Sequence, residues 1–313
     1  MSASGNRFRA SDGTELAVYR WDATGPPRAA MAIAHGLAEH AMRYDACATF
    51  MAANGVSAEA HDHRGHGRAA ASPDALGFFA ETGGWQRVVD DLRERLADMR
   101  ARHPGRKLIL FGHSMGSFMS QQVLYESPQL VDAAILSGSN GKPLRIAGLG
   151  RLVARLERLR LGRRGRSKLL AQLSFSPFNR RFAPNRTDFD WLSRDEAQVD
   201  AYVADPLCGF ESTTQLWIDL LDALPVLARQ KNRDRVPEAL PILILSGDVD
   251  PVGVNLSDLV KGYRGNGMSH VDVRLYPGGR HEMLNETNRD QVFADILGWT
   301  EAFLAGTPVP SPP

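Results

Sequence analysis

Lys107-Leu-Ile-Leu-Phe111, then Gly112-His113-Ser114-Met115-Gly116, then a helical pattern from Ser117 to Glu126 follow one another without a gap. This order reads as strand, sharp turn and helix, with Ser114 at the apex. Such a turn lifts the serine oxygen above the end of a sheet, and glycines two before and two after it remove side chains that would collide. The next backbone N–H, that of Met115, then points at the reacting centre. A Gly-x-Ser-x-Gly pentapeptide alone reads equally well as a flexible loop; the flanking strand and helix make Ser114 a candidate nucleophile.

A hydroxyl is a poor nucleophile at neutral pH and needs a base, which in turn needs an orienting acid. Both should lie beyond Ser114. The buried-strand signal Leu240-Pro-Ile-Leu-Ile-Leu-Ser246 runs into Gly247-Asp248-Val249-Asp250-Pro251, a turn that presents carboxylates at a strand end. Val271 to Tyr276 alternates apolar and polar residues and ends in Pro277-Gly278-Gly279-Arg280-His281-Glu282. The order Ser, acid, His along the chain is that of α/β-hydrolases and differs from the chymotrypsin and subtilisin orders.

At these residues the chain resembles the monoacylglycerol lipase and lysophospholipase branch of the α/β-hydrolases, also described as serine aminopeptidase-like, over nearly its whole length. The matching pieces are His35-Gly36-Leu37-Ala38-Glu39-His40, Asp62-His63-Arg64-Gly65-His66-Gly67-Arg68, the turn at Ser114, Gly247 to Asp250, and His281. The resemblance implies an α/β-hydrolase fold, a mostly parallel doubly wound sheet with an inserted, mainly helical cap after the sixth core strand. It also implies a long-chain ester substrate. It favours Asp250 over Asp248 as the acid, since the family places it in Gly-x-x-Asp; Pro251 can also rigidify that turn, and Asp248 reads as a turn-stabilising residue. In these roles Ser114 attacks the carbonyl, His281 moves the proton, and Asp250 fixes the imidazole tautomer. The backbone N–H groups of Met115 and Leu37 would hold the oxyanion, the latter because Gly36 lets its loop approach the substrate. His35, Glu39 and His40 are expected to scaffold that loop, and His113 to pack.

Along the chain, Asp12-Gly13 separates two alternating segments, Arg7 to Ala10 and Thr14 to Trp21, which predicts a hairpin. Strands are expected at Ala29 to Ala34, Val56 to Ala60 and Val131 to Leu136, with helices at Met42 to Ala53 and Trp85 to Ala101. Strands alternating with helices put function at the carboxyl ends of a parallel sheet. The expected organisation is a hydrolase core over 1–139 and 238–306, a cap over 140–237 where the alternation breaks, and a disordered proline-rich tail over 307–313.

The cap opens on a basic amphipathic stretch: Leu149, Leu152, Val153, Leu156 and Leu159 recur at helical spacing, with Arg151, Arg155 and Arg158 elsewhere on the wheel. A helix whose apolar stripe packs inward with solvated arginines is one reading; peripheral contact with a membrane or lipid aggregate is the other. Phe175, Phe178, Phe182, Phe189, Trp191, Tyr202, Phe210 and Trp217 concentrate here, and a few of them over Ser114 would suit an acyl chain.

His61, His63 and His66 form a spacing that recurs in dinuclear zinc hydrolases, but Gly65 stands where that pattern requires an aspartate, so hydrogen bonding in a tight turn is expected instead. No metal or cofactor is expected. A formal charge of +1 offers no global field for nucleic acid, and none is expected as a partner. Two cysteines, Cys47 and Cys208, with no signal-peptide or membrane-span pattern suggest a cytoplasmic protein. The reading is a serine carboxylic-ester hydrolase acting on monoacylglycerol- or lysophospholipid-like esters. An S33-type peptidase and other α/β-hydrolase chemistry would use the same triad, whereas a non-catalytic binding protein would usually have lost a member of it.

Overall fold

The computed structural model describes residues 4–143 and 147–307. The chain opens with an antiparallel hairpin, β1 (Ser4–Arg9) and β2 (Glu15–Trp21), turning at Asp12-Gly13. It then alternates through β3 (Ala29–Ala34), α1 (Asp45–Ala53), β4 (Val56–His61), α2 (Gly84–Arg102), β5 (Lys107–His113), α3 (Met115–Glu126) and β6 (Ala133–Ser137). Helices alone follow among the described residues: α4 (Ala147–Leu161), α5 (Lys168–Asn179), α6 (Glu196–Ala204), α7 (Thr214–Leu227) and α8 (Gln230–Arg233). Alternation resumes with β7 (Ile242–Gly247), α9 (Leu256–Gly265), β8 (Val271–Tyr276) and α10 (Arg289–Ala305).

One eight-stranded sheet results, in the order β1-β2-β4-β3-β5-β6-β7-β8. Only β2 and its two partners pair antiparallel; every other neighbour is parallel. Helices cover both faces, which is why the central strands are apolar throughout instead of alternating. In β5, Leu108 and Leu110 join the core formed with α2, α3, α7 and α9, while Ile109 and Phe111 join the core formed with α1 and α10. The chain order sends the ends of β3, β5, β7 and β8 to one edge of this slab, and all the candidate site residues lie there.

Three expectations are adjusted. The helix expected from Met42 begins at Asp45, because Ala41–Tyr44 forms a 3-10 turn whose first N–H is taken by Asp62 Oδ1 at 2.9 Å. The sixth strand begins at Ala133, because Asp132 turns back to accept from Leu108 N at 2.8 Å. The inward-packing reading of α4 is reversed for most of its leucines: Leu149, Leu152, Leu156 and Leu159 are 58, 54, 56 and 80% exposed. The arginines turn toward α7 instead, where Asp222 accepts from Arg151 Nε at 2.7 Å and Arg155 Nη2 at 2.9 Å, and Gln215 accepts from Arg158 at 3.0 Å. Ala154 and Val153 supply the apolar contact on that side.

Cys47 and Cys208 are both buried free thiols. Among the described residues no helix is long and apolar enough to cross a membrane. Of the expected tail only Thr307 falls within the described residues.

Candidate active site

β5 ends at His113, and Ser114 adopts φ 49°, ψ −118° before α3 begins at Met115. A non-glycine residue in this region carries roughly 1–3 kcal/mol of strain, which the surroundings must hold in place. Ser114 N donates to Ser137 O of β6 at 2.9 Å. The flanking glycines are required by contact: a Cβ on Gly112 would lie 2.6 Å from Gly116 O, and one on Gly116 would collide with the backbone of Ala34 and His35. Met115 opens a helix, so its N–H has no intrahelical acceptor and lies beside the serine.

The loops after β7 and β8 meet next to it. His281 Nδ1 lies 3.0 Å from Asp250 Oδ1 and 3.1 Å from Oδ2, with both residues buried. Asp250 also accepts from Val252 N at 2.8 Å and Ser246 Oγ at 3.1 Å, so its carboxylate cannot swing away. Burial pushes the His281 imidazole down, but the Asp250 charge and hydrogen bond outweigh it, and its pKa ends above the ordinary value of 6.5. Asp248 does not reach His281; its Oδ1 accepts from Gly278 N at 2.8 Å and ties the two loops together at the surface. His113 packs its ring 4.7 Å from that of His281, and burial first, then the His281 charge, drives it down to about 3. It therefore stays neutral.

The loop after β3 approaches from the other side. An ideal Cβ on Gly36 would sit 3.3 Å from Ser114 Cβ and 2.6 Å from Glu39 Oε1, so this position admits only glycine without displacement. His63 N can only donate, so His35 Nε2 accepts from it at 2.9 Å and His35 Nδ1 carries the proton given to Gly36 O at 2.8 Å. That bond pins the carbonyl of the Gly36–Leu37 peptide, and the Leu37 N–H of the same plane points the opposite way. His63 donates to His35 O at 3.2 Å and accepts from His61 at 3.1 Å, while His66 turns to Arg64 O at 3.2 Å. Burial first holds His35, His61 and His63 well below the ordinary value. The His-x-His-x-x-His spacing thus serves as a neutral relay under the loop. The one His/Cys/Asp/Glu group of the described residues whose ligand atoms converge within metal-chelating reach is elsewhere: His40, Asp205 and Cys208, with His40 Nε2 bonded to Asp205 at 2.8 Å.

Ser114, His281, Leu37 and Met115 open onto a cavity of about 810 Å3. Of the eight aromatics singled out in the sequence, all but Phe182 line it; Phe182 instead faces the Arg280 guanidinium at 4.4 Å. Trp191 stacks with Phe175, and its ring lies 5.0 Å from that of His281. The sequence reading missed the aliphatic wall of Leu170 and Leu173 from α5 and Leu220, Leu221 and Leu224 from α7. Their helical spacing was available as a signal, but its direction toward the serine was not.

Comparison with known proteins bears on the family and the fold. The family profile for "Serine aminopeptidase, S33" matches residues 25–288. A monoacylglycerol lipase of Mycolicibacterium smegmatis is 28% identical over 312 residues, covering 96% of this chain and 98% of that protein. Among solved structures, a thermostable carboxyl esterase from Bacillus coagulans superposes with a TM-score of 0.88 at 23% identity, covering 97% of this chain and 99% of that one. A soluble variant of monoglyceride lipase from Saccharomyces cerevisiae does so with a TM-score of 0.77 at 18% identity, covering 97 and 96%.

Proposed function

This chain belongs to the serine aminopeptidase S33 family, and from that premise we propose that it cleaves monoacylglycerol- or lysophospholipid-like esters through an acyl-enzyme on Ser114. The chain is a serine hydrolase of the esterase and lipase type. The observation that carries the finer reading is that the His281–Asp250 pair and the strained Ser114 open together onto a large, mostly apolar cavity.

In this reading the ester carbonyl lies over Ser114, within reach of the Leu37 and Met115 N–H groups. Asp250 holds the His281 proton on Nδ1, which leaves Nε2 free to take the proton from Ser114 Oγ as it attacks. The tetrahedral oxyanion meets the two amides, and collapse expels the alcohol, protonated by His281. Water then repeats the sequence and releases the fatty acid. Fixed donors help because they need no reorganisation as charge develops; one such donor is typically worth on the order of 100- to 1000-fold in turnover.

An ester is favoured over a peptide because the cavity wall is mostly apolar and its buried carboxylates Glu39 and Glu282 are already bonded to Gly36 N and Arg43, which leaves Asp188 and Glu211 as the lining carboxylates an ammonium group would have to use. Residues 140–237 act as the cap that sets substrate choice. The outward leucines of α4, with Leu169 and Leu173 at 47 and 49% exposure, form its lipid-contacting surface. The test is turnover of p-nitrophenyl esters by chain length beside monoacylglycerol, lysophosphatidylcholine and aminoacyl anilides. Preference for anilides, or for acetyl over longer acyl groups, would overturn the reading.

A further inference from the structure

Beneath the loop that carries Leu37 lies a chain of charges to which the ester-hydrolase reading gives no part in the chemical steps. Glu39 Oε1 accepts from Gly36 N at 2.5 Å and from Tyr44 OH at 2.8 Å, while its Oε2 meets Arg43 Nη1 at 2.9 Å. Arg43 then forks onto Glu282, with Nη1–Oε1 at 2.5 Å and Nη2–Oε2 at 2.7 Å. Glu282 immediately follows His281. All three side chains are nearly closed to solvent, at 4, 9 and 6% exposure. One guanidinium therefore touches both the loop of the candidate oxyanion donor and the loop of the candidate base.

The same guanidinium reaches the helical insertion. It lies 4.7 Å from the Tyr202 ring, and Tyr202 OH donates to Ala38 O at 2.9 Å. Ala38 sits at φ 55°, a strained conformation for alanine, and Gly209 N also donates to its carbonyl at 2.9 Å. Glu282 N donates to Leu192 O at 2.8 Å. Three segments far apart in sequence thus converge on a single cation.

From this geometry we infer that Arg43 is a positioning residue which, through Glu39 and Glu282, holds the Leu37 N–H and the His281 ring in register across Ser114. The reason is mechanical and electrostatic. Glu39 holds the N–H of the His35–Gly36 peptide while His35 Nδ1 holds the carbonyl of the Gly36–Leu37 peptide, so the two bonds together limit the rotation at Gly36 that would turn the Leu37 N–H away. Two buried carboxylates would repel without the cation between them, and each would be costly to leave unpaired. Arginine is suited to this place because its planar fork can grip one carboxylate with two bonds while sharing an N–H with the other; an ammonium group cannot.

This inference rests on the ester-hydrolase reading, and the experiment separates the two. Fluorophosphonate capture at Ser114 of the wild type tests the reading; kcat per titrated Ser114 in Arg43→Met, Arg43→Lys and Glu39→Gln tests the inference. Titration removes any loss due to misfolded protein. Misplacing one oxyanion donor without deleting it should lower kcat per site about 10- to 100-fold in Arg43→Met, with KM within about threefold. Arg43→Lys should recover part of that loss, and Glu39→Gln should fall between Lys and wild type, since its amide oxygen still accepts from Gly36 N. If Arg43→Met does not fold, the other two variants decide. A kcat per site within about twofold of wild type in the folded variants, or a loss carried by KM alone, would overturn the inference. Absence of capture in the wild type would instead overturn the reading beneath it.

Discussion

Replacing Asp250 with asparagine tests the candidate site most sharply, because the bonds around this side chain dictate how the amide must sit. Asp250 Oδ1 accepts from Val252 N, which can only donate, so an asparagine must keep its oxygen there. Its NH2 group then takes the place of Oδ2, beside His281 Nδ1 and Ser246 Oγ. The serine hydroxyl can rotate and accept, but His281 Nδ1 lies 3.0 Å from the retained oxygen and 3.1 Å from the new NH2 group, so a proton on Nδ1 now faces an N–H, and moving it to Nε2 relieves that conflict. The base is then occupied at the atom that should receive the Ser114 proton. A tautomer error of this kind costs about 10,000-fold in kcat, roughly 5.4 kcal/mol of transition-state stabilisation. Asp248→Asn is the matched control: its oxygen can still accept from Gly278 N at the surface, so activity should stay within about twofold and stability within about 0.5 kcal/mol. The assay is kcat/KM on a soluble p-nitrophenyl ester, with thermal melts of both variants. Comparable losses in the two, or a larger one at Asp248, would refute the assignment of the acid.

Ser114→Ala should abolish both turnover and fluorophosphonate labelling; retained labelling would point to another nucleophile. The raised His281 pKa places the acid limb of kcat/KM above pH 6.5: the base must be neutral, so activity is lost as pH falls through a pKa that the Asp250 charge has lifted. Asp250→Asn removes that charge, so the limb of its residual activity should move to lower pH in a pH–rate titration. For the proposed lipid-contacting surface, Leu152, Leu156 and Leu159 to serine should weaken sedimentation with vesicles by about 100-fold, taking about 1 kcal/mol for each exposed leucine, while soluble-ester turnover stays constant. Glutamate at Arg151 and Arg155 should instead lower the melting temperature, because it sets like charges against Asp222; unchanged stability would mean that those ion pairs contribute nothing.

The core was legible because its rules are local. Each central strand is a short apolar run stopped by a turn residue, and each covering helix repeats at helical spacing, so the strand ends and the residues placed there could be read in one pass. Helix α9 escaped even so: Leu256, Leu259 and Tyr263 carry the pattern, but they fill the interval between two strands already claimed by the Asp250 turn. Arg43 and Glu282 escaped for a different reason. Each looks like an ordinary surface charge near a motif, and their meeting across 239 residues of chain has no trace in either neighbourhood.

Helix α4 marks where periodicity stops being informative. A stripe of leucines opposite a stripe of arginines defines two faces, yet the wheel is silent on which one meets the protein. Burying leucine is the usual outcome, since an exposed apolar side chain forgoes its transfer free energy. What turns α4 the other way is Asp222, 71 residues beyond Arg151, with Gln215 one helical stretch earlier on the same helix. The arginines keep partial solvation while gaining these partners, so their pairing costs little desolvation. The leucines are left facing outward along one side of the helix, and Leu149 among them also lines the cavity. Such a face is unfavourable in water and becomes favourable only against another apolar surface. Since the cavity it borders is itself apolar, a lipid leaving its aggregate along this face would travel from one apolar surroundings to another and need not cross water on the way to Ser114.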